Sequence, residues 1–143
     1  MKQSIVQVTL VVPDYDEALA FYAGILGFNV VEDTVLTGAN RRWVVVAPSG
    51  GAVGASLVLG LASNSRQKMA IGNQSGGRVF LFLQTDDFAR DHKAMAARGV
   101  RFIEEPRREA YGTVAVFADP FGNLWDLIEY APGHPLAPPT PVS

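Results

Sequence analysis

The sequence contains no cysteine and only two histidines, His92 and His134, among its 143 residues. The lack of thiols excludes disulfides, thiolate nucleophiles, iron–sulfur clusters and Cys-ligated zinc. Two imidazoles all but exclude a site built on two or three of them. Neither sign of charge dominates, with 12 basic residues against 14 acidic ones. No basic patch is available for a phosphate backbone, so no nucleic acid partner is expected. No apolar run approaches the roughly 18 residues of a membrane span. Met1 to Ser4 also lack the basic and apolar regions of a secretion signal. The expectation is a cytoplasmic protein with no membrane partner. What is present is an ordinary globular balance, 48% apolar and 18% charged, in a length that suits one domain or one built from a duplicated unit.

Ile5 to Val12 alternates in strand fashion, with Val6, Val8, Leu10 and Val12 on one side and Gln7, Thr9 and Val11 on the other. Pro13 stops it. Asp14 with Glu17 has capping-box spacing, and Ala18, Phe21, Tyr22 and Ile25 mark one buried helical face ending at Gly27. Strand candidates follow at Phe28–Glu32, Arg42–Ala47 and Ser56–Leu61. The stretch Ser49 to Gly54 is read as a hairpin turn, because no helix follows to make it a phosphate loop. Residues 63–77 are polar and read as a connector, within which Lys68 to Ile71 pack on the surface.

The pattern then restarts. Val79–Leu83 is a strand, Asp87 takes a cap position, and Phe88, Asp91/His92 and Met95 mark a helical face ending at Gly99. Arg101–Ile103, Thr113–Phe117 and Leu124–Tyr130 are strands, the last two joined by the turn Asp119–Asn123. Asp14 aligns with Asp87, and Gly27 to Glu32 align with Gly99 to Glu104 after one single-residue gap. This is an internal repeat. The modules run over about 4–62 and 78–131 of one domain, 1–131. Residues 132–143 hold five of the nine prolines and read as a mobile tail.

Val11-Val12-Pro13-Asp14 through Phe21-Tyr22 to Leu26-Gly27-Phe28, with Tyr111-Gly112 and Asp119-Pro120-Phe121-Gly122-Asn123-Leu124-Trp125-Asp126, resembles the vicinal oxygen chelate superfamily. That superfamily includes glyoxalase I, bleomycin-resistance proteins, extradiol dioxygenases and fosfomycin-resistance transferases. The resemblance spans about residues 5–130. Phe121 stands where relatives usually place a second aspartate. The resemblance implies an α+β fold in which two tandem βαβββ modules form an open, mixed eight-stranded barrel around a cleft. It also implies a homodimer.

Metal-dependent members place one ligand on each of four strands. Carried over residue by residue, these positions are Gln7, Gly60, Phe80 and Asp126. Gly60 and Phe80 have no donor, so the expectation is no cofactor. A divalent metal held by Gln7 and Asp126 is the alternative, and it would keep mostly water around it. Neither His92, on the second helix, nor His134, in the tail, is expected to replace the missing ligands.

The implied cleft face holds Gln7, Thr9, Val11, Ser56, Val58, Gly60, Phe80, Phe82, Leu124, Asp126 and Ile128. Apolar walls with few polar groups suit a small-molecule ligand, although a barrel can also fill itself with such side chains. Gly60 leaves space, and Phe80 offers a ring for stacking. Asp126 is the one carboxyl of this set. Desolvation would make it a proton donor or acceptor and thus the candidate catalytic residue, whereas a hydrogen-bonded Asp126 would stay charged and orient a ligand. Arg107, Arg108 and Tyr111 are candidate anion contacts, in competition with self-pairing among Glu104, Glu105 and Glu109. The facing of Arg42 and Trp43 is open. The readings that remain are a metal-free binder of a small, partly apolar molecule, a metal-dependent lyase or dioxygenase, and a metal-free enzyme using Asp126.

Overall fold

The alternation at the N-terminus becomes strand β1, Gln7–Val12, which starts two residues later than the pattern suggests and leaves Ile5 and Val6 exposed. The computed structural model describes residues 1–38, 40–50 and 54–138. Part of the expected Ser49–Gly54 turn and the tail beyond Pro138 lie outside the described residues. The chain forms two compact units, Met1–Gln74 and Ser75–Ser143.

In the first unit Asp14 caps helix α1, Tyr15–Leu19, by accepting the Glu17 N–H at 2.8 Å. Over Ala20–Ile25 the helix widens into a π-type segment, in which the Leu26 N–H reaches the Phe21 carbonyl. Leu26 is buried with Ala18, Phe21 and Tyr22, while Ile25, expected in that row, is half-buried. Gly27 ends the helix at positive φ. Strands β2 (Asn29–Val35), β3 (Arg42–Ala47) and β4 (Ser56–Leu61) complete a sheet of order β1-β4-β3-β2, with β1 and β4 parallel and the other pairs antiparallel. One face carries Leu10, Val12, Val44, Val46, Leu57 and Leu59, all buried, and faces α1.

The connector is more ordered than its composition suggests. Asn64 caps a short helix α2, Ser65–Ala70, by accepting the Gln67 N–H, and the Gln67 side chain accepts the Ser63 N–H in return. Gln74 donates to the carbonyls of Val11 and Ala70, tying the connector to β1.

The second unit repeats the topology. Strand β5 (Val79–Gln84) leads to helix α3 (Phe88–Ala97), capped by Asp87 through the Arg90 N–H at 3.0 Å. Strands β6 (Arg101–Phe102), β7 (Arg107–Glu109), β8 (Gly112–Ala118) and β9 (Leu124–Tyr130) follow. The sheet order is β5-β9-β8-β6, with β7 also on β8 and β5 parallel to β9. Among the described residues the two sheets hold four and five strands, the α+β arrangement of two open mixed sheets that the resemblance implies. Residues 104–112, the charged run, supply β7, and Pro106, lacking an N–H, separates it from β6. The Glu104 carboxylate fills the gap by accepting the Val116 N–H at 3.1 Å.

The Asp119–Asn123 turn is held by one carboxylate. Asp119 Oδ1 accepts the N–H groups of Phe121, Gly122 and Asn123, and Oδ2 accepts from the Asn123 amide. Phe121 contributes only its backbone to this set, which is why its departure from the usual aspartate leaves the turn intact. The tail up to Pro138 makes contacts within the second unit. His134 stacks on Tyr130 with ring centroids 4.2 Å apart, and Gln84 Nε2 donates to the Leu136 carbonyl at 2.7 Å.

Two stability predictions follow from these positions. Gly112 has φ +153°, and a Cβ there would collide with the Glu129 carbonyl oxygen and sit 2.9 Å from Tyr130 Cα. Gly112→Ala should cost about 2 kcal/mol or more, lowering the melting temperature by roughly 4–8 °C; an unchanged melting curve would contradict this packing. Asp87→Ala removes the α3 cap and should cost about 1 kcal/mol in denaturant unfolding.

Candidate functional site

In each unit the sheet face turned away from its helix carries the predicted residues. On the first sheet the register pairs Gln7 with Ser56, Thr9 with Val58 and Val11 with Gly60. All six share one face; Gln7 and Thr9 are exposed and the other four half-buried. The space expected above Gly60 is not open, because a Cβ there would lie 3.3 Å from the Thr9 methyl. Arg42 turns to the helix side. It forms ion pairs with Asp16 at 2.8 Å and Asp33 at 2.6 Å, and its guanidinium lies over the Tyr15 ring. Strand alternation then puts Trp43, 36% exposed, on the same face as Thr9 and Val58. Period-two counting from Arg42 carried this signal, but which parity faced the helix needed the structure.

On the second sheet Phe82 stands opposite Asp126, Gln84 opposite Ile128 and Val79 opposite Leu124. A register shift between Val79 and Leu81 leaves Phe80 without a cross-strand partner. The exposed ring beside the carboxyl is therefore Phe82, at 59% exposure, while Phe80 is half-buried. Leu124 is half-buried and Ile128 buried. The two parallel pairings also relate the halves. Asp126 opposite Phe82 corresponds to Val58 opposite Thr9, so the place equivalent to Asp126 in the first unit is Val58 rather than Gly60. Neither residue offers a donor.

Asp126 is 8% exposed, and its Oδ1 is enclosed without a hydrogen-bond partner. Desolvation raises its pKa above the ordinary carboxylate value; nearby Arg107 opposes the rise and Glu104 adds to it. Arg107 does not wait for an anion. Its Nε donates to Glu104 at 3.1 Å and its Nη1 to Glu109 at 2.8 Å, with the Tyr111 hydroxyl as a further partner, and these bonds hold it firmly protonated. Tyr111 itself is partly exposed. Arg108 is exposed and, by alternation on β7, faces the side opposite Arg107. The self-paired reading of this charge run is the one the structure displays.

His92 lies away from this face, stacked on Phe88 with centroids 5.4 Å apart and in tilted contact with Phe102 at 4.2 Å. It borders an open surface groove of about 600 Å³ between α3 and β6, lined by Ala96, Val100 and Phe102 among others. None of the predicted cleft residues lines that groove. As for a metal, the expected positions offer the Asp126 carboxyl on the second sheet and, on the first, the Gln7 amide with the Thr9 and Ser56 hydroxyls. Among the described residues no three His, Cys, Asp or Glu side chains gather as a ligand set. These donors do not fit the metal centre of the metal-dependent members, which require more nitrogen or carboxylate ligands.

Comparison with known proteins agrees with this architecture. A protein of Shewanella frigidimarina is 53% identical over 136 residues, covering 95% of this chain and all of that one. YurT of Bacillus subtilis is 30% identical, covering 87% of this chain and 98% of its own. Among solved structures, UcmS2 aligns with a TM-score of 0.74 at 28% identity, covering 90% of this chain and 98% of its own. TnmS3, an antibiotic-binding protein from Streptomyces sp. CB03234, aligns at 0.66 and 31%, covering 92% and 99%. The sequence model of the Glyoxalase/Bleomycin resistance protein/Dioxygenase superfamily matches residues 4–127. With most of both repeated units and the whole Asp119 turn inside that match, the chain belongs to the glyoxalase/bleomycin resistance protein/dioxygenase superfamily.

Proposed function

We propose that this protein binds a small, partly apolar organic molecule on the sheet face that carries Asp126, without a metal centre. The observation that carries the reading is the pairing of an exposed ring, Phe82, with a buried carboxyl whose Oδ1 has no partner. An apolar surface with one directed polar group is the usual make-up of a small-molecule site. The resemblance to TnmS3, an antibiotic-binding protein, supports a binding role. No helix among the described residues is long and apolar enough to cross a membrane. A homodimer in the cytoplasm is part of the same proposal. The alternative is a metal-dependent lyase or dioxygenase with Gln7 and Asp126 as ligands.

A thermal-shift screen of aromatic and amphipathic compounds, run with and without EDTA, tests the proposal. A ligand at about 100 times its Kd should add about 2.7 kcal/mol, a rise of roughly 5–10 °C. The shift should survive EDTA and fall sharply in Phe82→Ala. Stoichiometric metal in the purified protein, together with loss of the shift in EDTA, would favour the metal-dependent alternative.

Burial of Asp126 also sets a pH dependence. A carboxyl whose folded pKa is raised holds its proton more tightly when folded, so stability falls as pH rises from the unfolded value, about 3.9, through the folded one. Asp126→Asn escapes this loss. Its melting temperature should exceed the parent's at neutral pH, and the gap should close as pH falls toward about 4. A variant less stable than the parent at neutral pH would show that the carboxylate is paired.

A further inference from the structure

We infer that the ligand of the Asp126 face is a cation: the geometry points to an aromatic or amphipathic amine, its ring against Phe82 and its ammonium beside Asp126. The inference rests on the reading of this face as a ligand site. It starts from a count of charges. Three carboxyl groups, on Asp126, Glu104 and Glu109, share one cation, Arg107. The guanidinium donates from Nε to Glu104 and from Nη1 to Glu109, and Glu104 also receives the Val116 N–H. Asp126 Oδ1 receives nothing.

No other charged group on the neighbouring strands changes the balance. Strand β5 presents Phe82 and Gln84 beside Asp126, and β8 presents Val114 and Val116. Glu129 on β9 turns to the opposite face, where its carboxylate accepts the Phe88 N–H at 2.7 Å. The face therefore lacks one hydrogen-bond donor and one positive charge at the same place, and an ammonium supplies both. A hydroxyl would supply only the donor. An anion would meet the acidic surplus and find Arg107 engaged. Charge complementarity of this kind discriminates between ligands of opposite sign. An aromatic ring across the ladder adds cation–π and stacking contact.

The test compares two flat probes at neutral pH by fluorescence titration, cationic acridine orange and anionic anilinonaphthalene sulfonate. The cation should bind at least about tenfold more tightly. The isosteric Asp126→Asn change should weaken the cation by about tenfold and leave the anion unchanged or stronger. Glu109→Gln, at an exposed position, should weaken the cation by about twofold. Phe82→Ala should weaken both probes. Equal affinities, or a cation indifferent to Asp126→Asn, would overturn the inference while leaving a Phe82-dependent ligand face in place. Binding of neither probe, or binding untouched by Phe82→Ala, would overturn the ligand face as well.

Discussion

Parallel pairing of the first and last strands within each unit is the constraint on which the remaining structure depends. A parallel pair needs a long crossover, and here a helix and the antiparallel strands between the pair supply it. The pairing lays Gln7, Thr9 and Val11 beside Ser56, Val58 and Gly60, and Phe82 and Gln84 beside Asp126 and Ile128. Because side chains alternate, the same pairing commits Leu10, Leu59, Trp125 and Leu127 to the helix side. The composition of the ligand face thus follows from which residues the core claims. A one-residue slip in either pair would exchange the two sets.

The chemistry of the second sheet follows from a break in its edge. Pro106 interrupts the strand that would run beside β8, and Glu104 turns inward to satisfy the Val116 N–H. That same carboxylate anchors Arg107, which bridges on to Glu109. The guanidinium is thereby drawn toward the two glutamates, close enough to influence Asp126 but not hydrogen-bonded to it. A buried acid left in that condition is costly to the fold unless it keeps its proton or gains a partner. Retention of such a cost is common at binding sites.

The repeat, the two helix caps and the alternation of β1 were legible from residue spacing, because each is a local rule written in the sequence. The α+β architecture followed from them and from the family signature. Other features were decided by tertiary context. The register shift at Phe80 moved the exposed ring to Phe82, and strand β7 lies in a charged run with no apolar alternation to reveal it. The parity of Trp43 depended on Arg42 reaching Tyr15, Asp16 and Asp33 across the fold. Asn64 with Gln67, by contrast, was a cap signal present in the connector and overlooked because the surrounding composition is that of a loop.

The central claim is that ligand binds on the Asp126 face and not elsewhere. Backbone amide shifts measured during titration with a compound from the thermal screen test it most directly. The account predicts that the largest changes fall on Phe82, Val116, Leu124 and Asp126. Changes centred instead on His92, Ala96 and Phe102, around the groove between α3 and β6, would contradict it.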